Sequence, residues 1–153
     1  MRGDPATVPH YPELFAQLHG RIHACPANQL GSLKVRLETN ISRTTLLDEP
    51  RKQILLSRLA NMPEGDRLCH GDFHPMNVSG QASQPIVIDW PDACRGDPTA
   101  DVCWSYLLLK LYAEEIAEPY LDACHRINNV PRWKILDWAA VRRGGQAGGR
   151  RSG

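Results

Sequence analysis

Eight residues, His70-Gly71-Asp72-Phe73-His74-Pro75-Met76-Asn77, followed after a polar gap by Ile86-Val87-Ile88-Asp89-Trp90, constrain this chain more than any other feature. Polar side chains at this density cannot be buried without partners, yet apolar residues flank them at Leu68-Cys69 and at Ile86-Val87-Ile88. The pattern predicts a short strand, Arg67 to His70, delivering a polar loop. A small hairpin should follow, formed by Asn77-Val78 and Pro85 to Asp89 across the turn at 79–84. Pro75 restricts His74 to extended backbone. Asp89, at the end of an apolar strand, is held better than a side chain on a free loop.

Around this centre the periodicity is helical. Leu14, Leu18 and Ile22 predict a helix from Tyr11 to Ala24, with Pro12 in its first turn and Pro26 beyond its end. Leu33-Lys34-Val35-Arg36-Leu37 fits strand or helix equally. Leu47, Ile54, Leu55 and Leu59 predict a helix from about Thr45 to Asn61, despite Pro50. A long helix is expected over 99–118, closed by Glu118-Pro119, then another from Tyr120 to Ile127 and a last helical piece from Trp133 to Val141. The expected organisation is a disordered N-terminus over 1–10, one domain over 11–141, and a disordered Gly/Arg-rich tail over 142–153.

The chain has 153 residues, 42% of them hydrophobic, which suffices for one core. A net charge of +1 supplies no global field for nucleic acid or an anionic membrane. No apolar run approaches the roughly 20 residues of a membrane helix, and Met1-Arg2-Gly3-Asp4-Pro5 lacks the apolar stretch of a secretory signal. A cytoplasmic location is the default expectation. The five cysteines form no C-x-x-C pair and read as small buried hydrophobes.

The chemistry lies in the spacing. Phosphoryl transfer needs mostly positioning and charge stabilisation, and the protein-kinase loop separates its base Asp from a metal-binding Asn by four residues, with a second metal-binding Asp downstream. Asp72, Asn77 and Asp89 have that order. Asp72 is the candidate base that takes a proton from an acceptor hydroxyl. Asn77 and Asp89 offer neutral and charged oxygens, the hard ligands that suit Mg²⁺. His70 and His74 read as braces of the loop. Asp101 could cap a helix or reach back to the backbone amides of the Asp72 loop, and the second is favoured.

At these residues the chain resembles the aminoglycoside phosphotransferase and choline kinase-like family, the small-molecule relatives of protein kinases. Leu68 to Asn77, Val87-Ile88-Asp89-Trp90, and Gly96-Asp97-Pro98 with Asp101 carry the resemblance. Leu18-His19 with Ile22-His23 looks like the helix preceding that family's catalytic loop. The resemblance covers about residues 12–141. It implies an α+β, mostly helical fold, the C-terminal lobe of a protein-kinase-like protein, with a small β-hairpin carrying the catalytic loop. It also implies Asp72 as base, Asn77 and Asp89 as ligands of Mg²⁺ with ATP, Asp101 as anchor, and a small-molecule hydroxyl as acceptor.

The N-terminal β-lobe of such a kinase is expected to be absent, because the stretch before Tyr11 is too short for it. Lys34 lacks the preceding Gly-rich turn of a phosphate-binding lysine, and Gly144-Gly145-Gln146-Ala147-Gly148-Gly149 lacks the Lys-Ser/Thr of a P-loop. Weak or no turnover is therefore expected of this chain alone. Two other readings remain. One is a catalytically silent kinase-like binding module, associating through a surface left bare. The other is a two-metal phosphoesterase using His70, Asp72, His74 and Asp89.

Overall fold

The computed structural model describes residues 11–147, and the expectations of disorder for 1–10 and 148–153 lie outside these residues. Seven helices and four short strands make up this part of the chain. Helix α1 (Tyr11–His23) turns Phe15, Leu18 and Ile22 inward. The ambiguous segment is helical: α2 (Leu33–Arg43) starts where the Ser32 hydroxyl accepts from the Val35 amide. A strand would put Leu33, Val35 and Leu37 on one face. The helix instead buries Leu33, Leu37 and Ile41 and leaves Val35 exposed. Asp48 caps α3 (Glu49–Ala60) in the same way, with Pro50 in the first turn, where a missing N–H costs nothing.

Two-stranded ribbons place the polar loop. β1 (Arg67–Cys69) pairs antiparallel with β4 (Cys94–Gly96), and β2 (Val78–Gln81) pairs with β3 (Gln84–Val87). β1 leads directly into His70, whereas β4 leads through Asp97 into α4 (Pro98–Tyr112), so the first ribbon sets the polar loop beside the first turn of α4. Asp97 caps α4 by accepting from the Thr99 amide at 2.8 Å. The Trp138 indole donates to the Thr99 hydroxyl at 2.8 Å, tying the C-terminal helices to the same corner.

Besides the hairpin, whose turn is only Ala82-Ser83 and whose second strand ends at Val87, two residues before Asp89, three expectations need correction. The long helix is two, because α4 stops at Tyr112 and α5 (Glu114–Asn128) starts after Ala113. This turn lets α5 pack back on α1 and α4, and Glu114 and Glu115 suit the positive end of the new helix. Pro119 does not end a helix but lies inside α5 on an exposed position, where water can reach the carbonyl its missing N–H leaves unpaired. α5 ends at Asn129 in the left-handed conformation. The third concerns residues 142–147: after α6 (Arg132–Leu136), α7 (Ala139–Ala147) runs through them. Val141, Arg142, Gly144 and Gly145 are buried, and the absent side chains of Gly144 and Gly145 admit Leu55 and Leu37. Glycine here serves close helix packing rather than flexibility.

Removing residues 142–153 should therefore lower stability by at least about 2 kcal/mol, read as the urea midpoint. A midpoint within error of the full chain would mean that this segment packs against nothing.

Candidate active site

Gly71 has φ +86, and a Cβ there would stand 2.4 Å from the Asp92 carbonyl. Only glycine allows the loop after Asp89 to lie this close to the Asp72 loop. Arg36 holds the far side of that contact, donating to the Asp92 carbonyl at 2.8 Å.

His70 is fully buried and connects three segments. Its Nδ1 accepts from the Asp72 amide at 3.2 Å, so its Nε2 carries the hydrogen and donates to the Ile88 carbonyl at 2.9 Å. The Trp90 ring lies 4.6 Å from the His70 ring. Residues on both sides of Asp89 are thus fixed to His70. Asp89 itself is exposed and has φ +62, a left-handed conformation that aspartate tolerates better than bulkier residues.

Asp72 and Asn77 meet directly. Asn77 Nδ2 donates to the Asp72 carbonyl at 2.8 Å and to Asp72 Oδ2 at 3.3 Å. Both amide hydrogens are used, and among the described residues nothing donates to Asn77 Oδ1. The Ile88 amide donates to the Asn77 carbonyl at 2.9 Å, bringing the residue before Asp89 to the foot of the β2–β3 hairpin beside Asn77. His74 Nδ1 accepts from the Met76 amide at 3.2 Å, capping the 3-10 turn Pro75–Asn77. Its Nε2 stands 3.5 Å from Asp72 Oδ1. The Asp72 side chain is 40% exposed, open to a substrate.

Asp101 lies beneath this loop with its carboxylate buried. Oδ1 accepts from the Gly71 amide at 3.0 Å, and Oδ2 accepts from the His70 amide at 2.9 Å. Oδ2 also faces Nε2 of His19 at 2.8 Å and of His23 at 2.9 Å. His19 donates there, so its Nδ1 accepts from the Tyr120 hydroxyl at 2.6 Å. Burial alone raises the Asp101 pKa, but the histidine donors outweigh it and hold the carboxyl well below the usual range. Burial, with His23 nearby, lowers His19 to about 4 despite Asp101. A neutral His19 beside an ionised Asp101 follows.

The sequence singled out His70, Asp72, His74, Asn77, Asp89 and Asp101, and the structure brings them to one end of the two ribbons. Tyr120 and Arg36 were not expected there; no local pattern marks them. The i, i+4 spacing of His19 and His23 was the one visible sign of a shared helix face. Lys34 points elsewhere, donating to the Met62 carbonyl at 2.7 Å. Four cysteines are buried, whereas Cys25 is exposed.

This arrangement, a helical lobe with a polar loop held between two ribbons, is the fold of kinase-like enzymes. Solved structures show the likeness. A thermostable mutant of the aminoglycoside phosphotransferase APH(4)-Ia, in ternary complex with AMP-PNP and hygromycin B, matches with a TM-score of 0.68 at 18% identity, over 92% of this chain and 57% of that one. A putative fructosamine-3-kinase from Thermobifida fusca YX-ER1 matches with a TM-score of 0.54 at 18% identity, over 94% of this chain and 66% of that one. The chain thus spans between 57 and 66% of these relatives' lengths. No curated protein matches. The chain belongs to the phosphotransferase enzyme family, whose family model matches residues 1–138.

Stability should fall with acid in two windows. The unfolded chain takes a proton on His19 near pH 6.5 that the folded chain refuses until about 4, so stability drops across that interval, by up to about 1.4 kcal/mol per pH unit. Protonation of Asp101 weakens the fold only at pH values below 3.8, the ordinary value of an aspartate. His19→Gln, which keeps a donor toward Asp101 but cannot titrate, should flatten the upper window in urea melts. An unchanged slope would place the proton elsewhere.

Proposed function

We propose that this protein transfers the γ-phosphoryl group of Mg-ATP to a hydroxyl of a small molecule. The observation that carries this reading is the division of labour on Asn77: its nitrogen is committed to Asp72, which leaves its oxygen for a cation beside Asp89. Asn77 Oδ1 and the Asp89 carboxylate are hard-oxygen donors of the kind that suits Mg²⁺, and together they would hold it. The cation, when bound, would neutralise charge on the nucleotide phosphates.

The chain's own residues do the rest. Asp72 orients the acceptor hydroxyl and takes its proton as the oxygen bonds to phosphorus and ADP departs. His74 and Asn77 hold the Asp72 carboxylate in place, and His70 fixes its backbone. With both ring nitrogens committed, His70 cannot ligate a metal, which counts against the phosphoesterase reading. Among the described residues no lysine is placed to clamp phosphates, so turnover by this chain alone should lie well below about 1 s⁻¹. The acceptor is an unidentified small molecule; a net charge of +1 gives no field that would draw nucleic acid or an anionic membrane surface, and no described helix is long and apolar enough to cross a bilayer. A cytoplasmic setting accords with the nucleotide.

A silent binding module is the second reading, favoured by Leu46, Leu111 and Tyr112, which are more than two-thirds exposed. Nucleotide separates the two. Mg-ATP at about 100 times its dissociation constant should stabilise a working site by about 2.7 kcal/mol, and Asn77→Ala with Asp89→Ala should remove that gain. Asp72→Ala should retain the shift yet lower any phosphorylation of aminoglycoside or choline about 10²–10⁴-fold. No shift with Mg-ATP would contradict the proposal and favour the module.

A further inference from the structure

We propose that Cys69 and Cys94 form a reversible disulfide, making the β1–β4 ribbon a site of oxidative modification at the base of the candidate active site. The inference is independent of the phosphotransfer reading. The two residues are register partners on antiparallel strands. Their pair type follows from their neighbours. The Leu68 amide donates away from the ribbon to the Cys25 carbonyl at 2.8 Å, and the Arg95 amide donates away to the Gly31 carbonyl at 2.9 Å. Leu68 and Arg95 are therefore the non-bonded pair, and Cys69 and Cys94 the hydrogen-bonded one. Such pairs hold their Cα atoms about 5.5 Å apart, inside the roughly 4.4–6.8 Å range of disulfides. Both side chains point to the same buried face.

Little else holds the thiols. Apart from Cys94, Cys69 Sγ has only long contacts, 3.7 Å to the Arg67 carbonyl and 3.8 Å to that of Asp97. The surroundings favour a thiolate on Cys94: the hydrogen bond from Cys69 lowers its pKa against the effect of burial, and the Arg36 and Arg142 guanidinium groups lower it further. The same hydrogen bond, with burial, raises Cys69. Cys94 is thus the attacking sulfur and Cys69 the resolving one.

With hydrogen peroxide as oxidant, the Cys94 sulfur attacks one oxygen and breaks the O–O bond. This gives a sulfenic acid and a hydroxide that leaves as water. The Cys69 sulfur then loses its proton and displaces the hydroxyl from the sulfenic sulfur, forming the S–S bond and a second water. Two thiols lose two electrons and the peroxide gains them. Access requires opening of a ribbon only three residues long on each side, so reaction should be slower than at the exposed Cys25. The bridge would join the residue before His70 to the loop that follows Asp89, fixing the separation of the two loops.

The test uses the full chain carrying Cys25→Ser, exposed to hydrogen peroxide, alkylated, and digested with trypsin. A single peptide, Leu68 to Arg95, contains both cysteines. It should appear two hydrogens lighter and without alkyl groups, return to the doubly alkylated form after phosphine reduction, and accompany a reversible rise in Tm of several degrees. Cys94→Ser should abolish that rise, and if this variant fails to fold, the peptide from the Cys25→Ser chain decides alone. Alkylation of both cysteines after peroxide, or only sulfinic acid on one of them, would overturn the proposal.

Discussion

One carboxylate beneath the polar loop organises this structure. Asp101 is fully buried, and a buried charge is tolerated only when its lone pairs are used. Four N–H groups converge on it: two backbone amides from His70 and Gly71, and two imidazoles from α1. Removing one partner of a buried ionic cluster typically costs about 3–5 kcal/mol, far more than a surface ion pair contributes. Asp101 therefore ties together three parts of the chain, α1, the polar loop and the first turn of α4, at the point where the loop must be rigid.

Rigidity then passes outward by hydrogen bonds. Asp101 fixes the backbone at His70, and the His70 ring in turn fixes the Asp72 amide and the Ile88 carbonyl. Two residues with positive φ fall here as well, Gly71 just before Asp72 and Asp89 after the hairpin. Such backbone persists where the surroundings over-determine it, and the Asp92 contact at Gly71 and the Trp90–His70 packing do so. The side chains left open to solvent are those of Asp72 and Asp89, while those beneath them are committed.

Short-range signals made much of this legible. The apolar-then-polar order around Asp72 marked the strand, loop and hairpin, and the periodicity of Leu14, Leu18 and Ile22 marked α1. Failures arose where a local rule met a long-range contact. Leu33-Val35-Leu37 alternates like a strand, and only the Ser32 cap and burial of Ile41 decide for a helix. Gly144 and Gly145 look like tail composition, but their missing side chains are what lets α7 approach α2 and α3. The α4–α5 break needs a partner helix to fold back on. The histidine–aspartate cluster and the Cys69–Cys94 pairing join residues far apart in the chain, which no window of sequence can display.

The most direct test of Asp101 as organiser is amide hydrogen exchange at His70 and Gly71. Both amides should exchange as slowly as the core of α4, and Asp101→Asn should speed them selectively while α1 and α5 keep their protection. Exchange at His70 and Gly71 as fast as in the exposed Ala82-Ser83 turn of the unaltered protein would contradict the account.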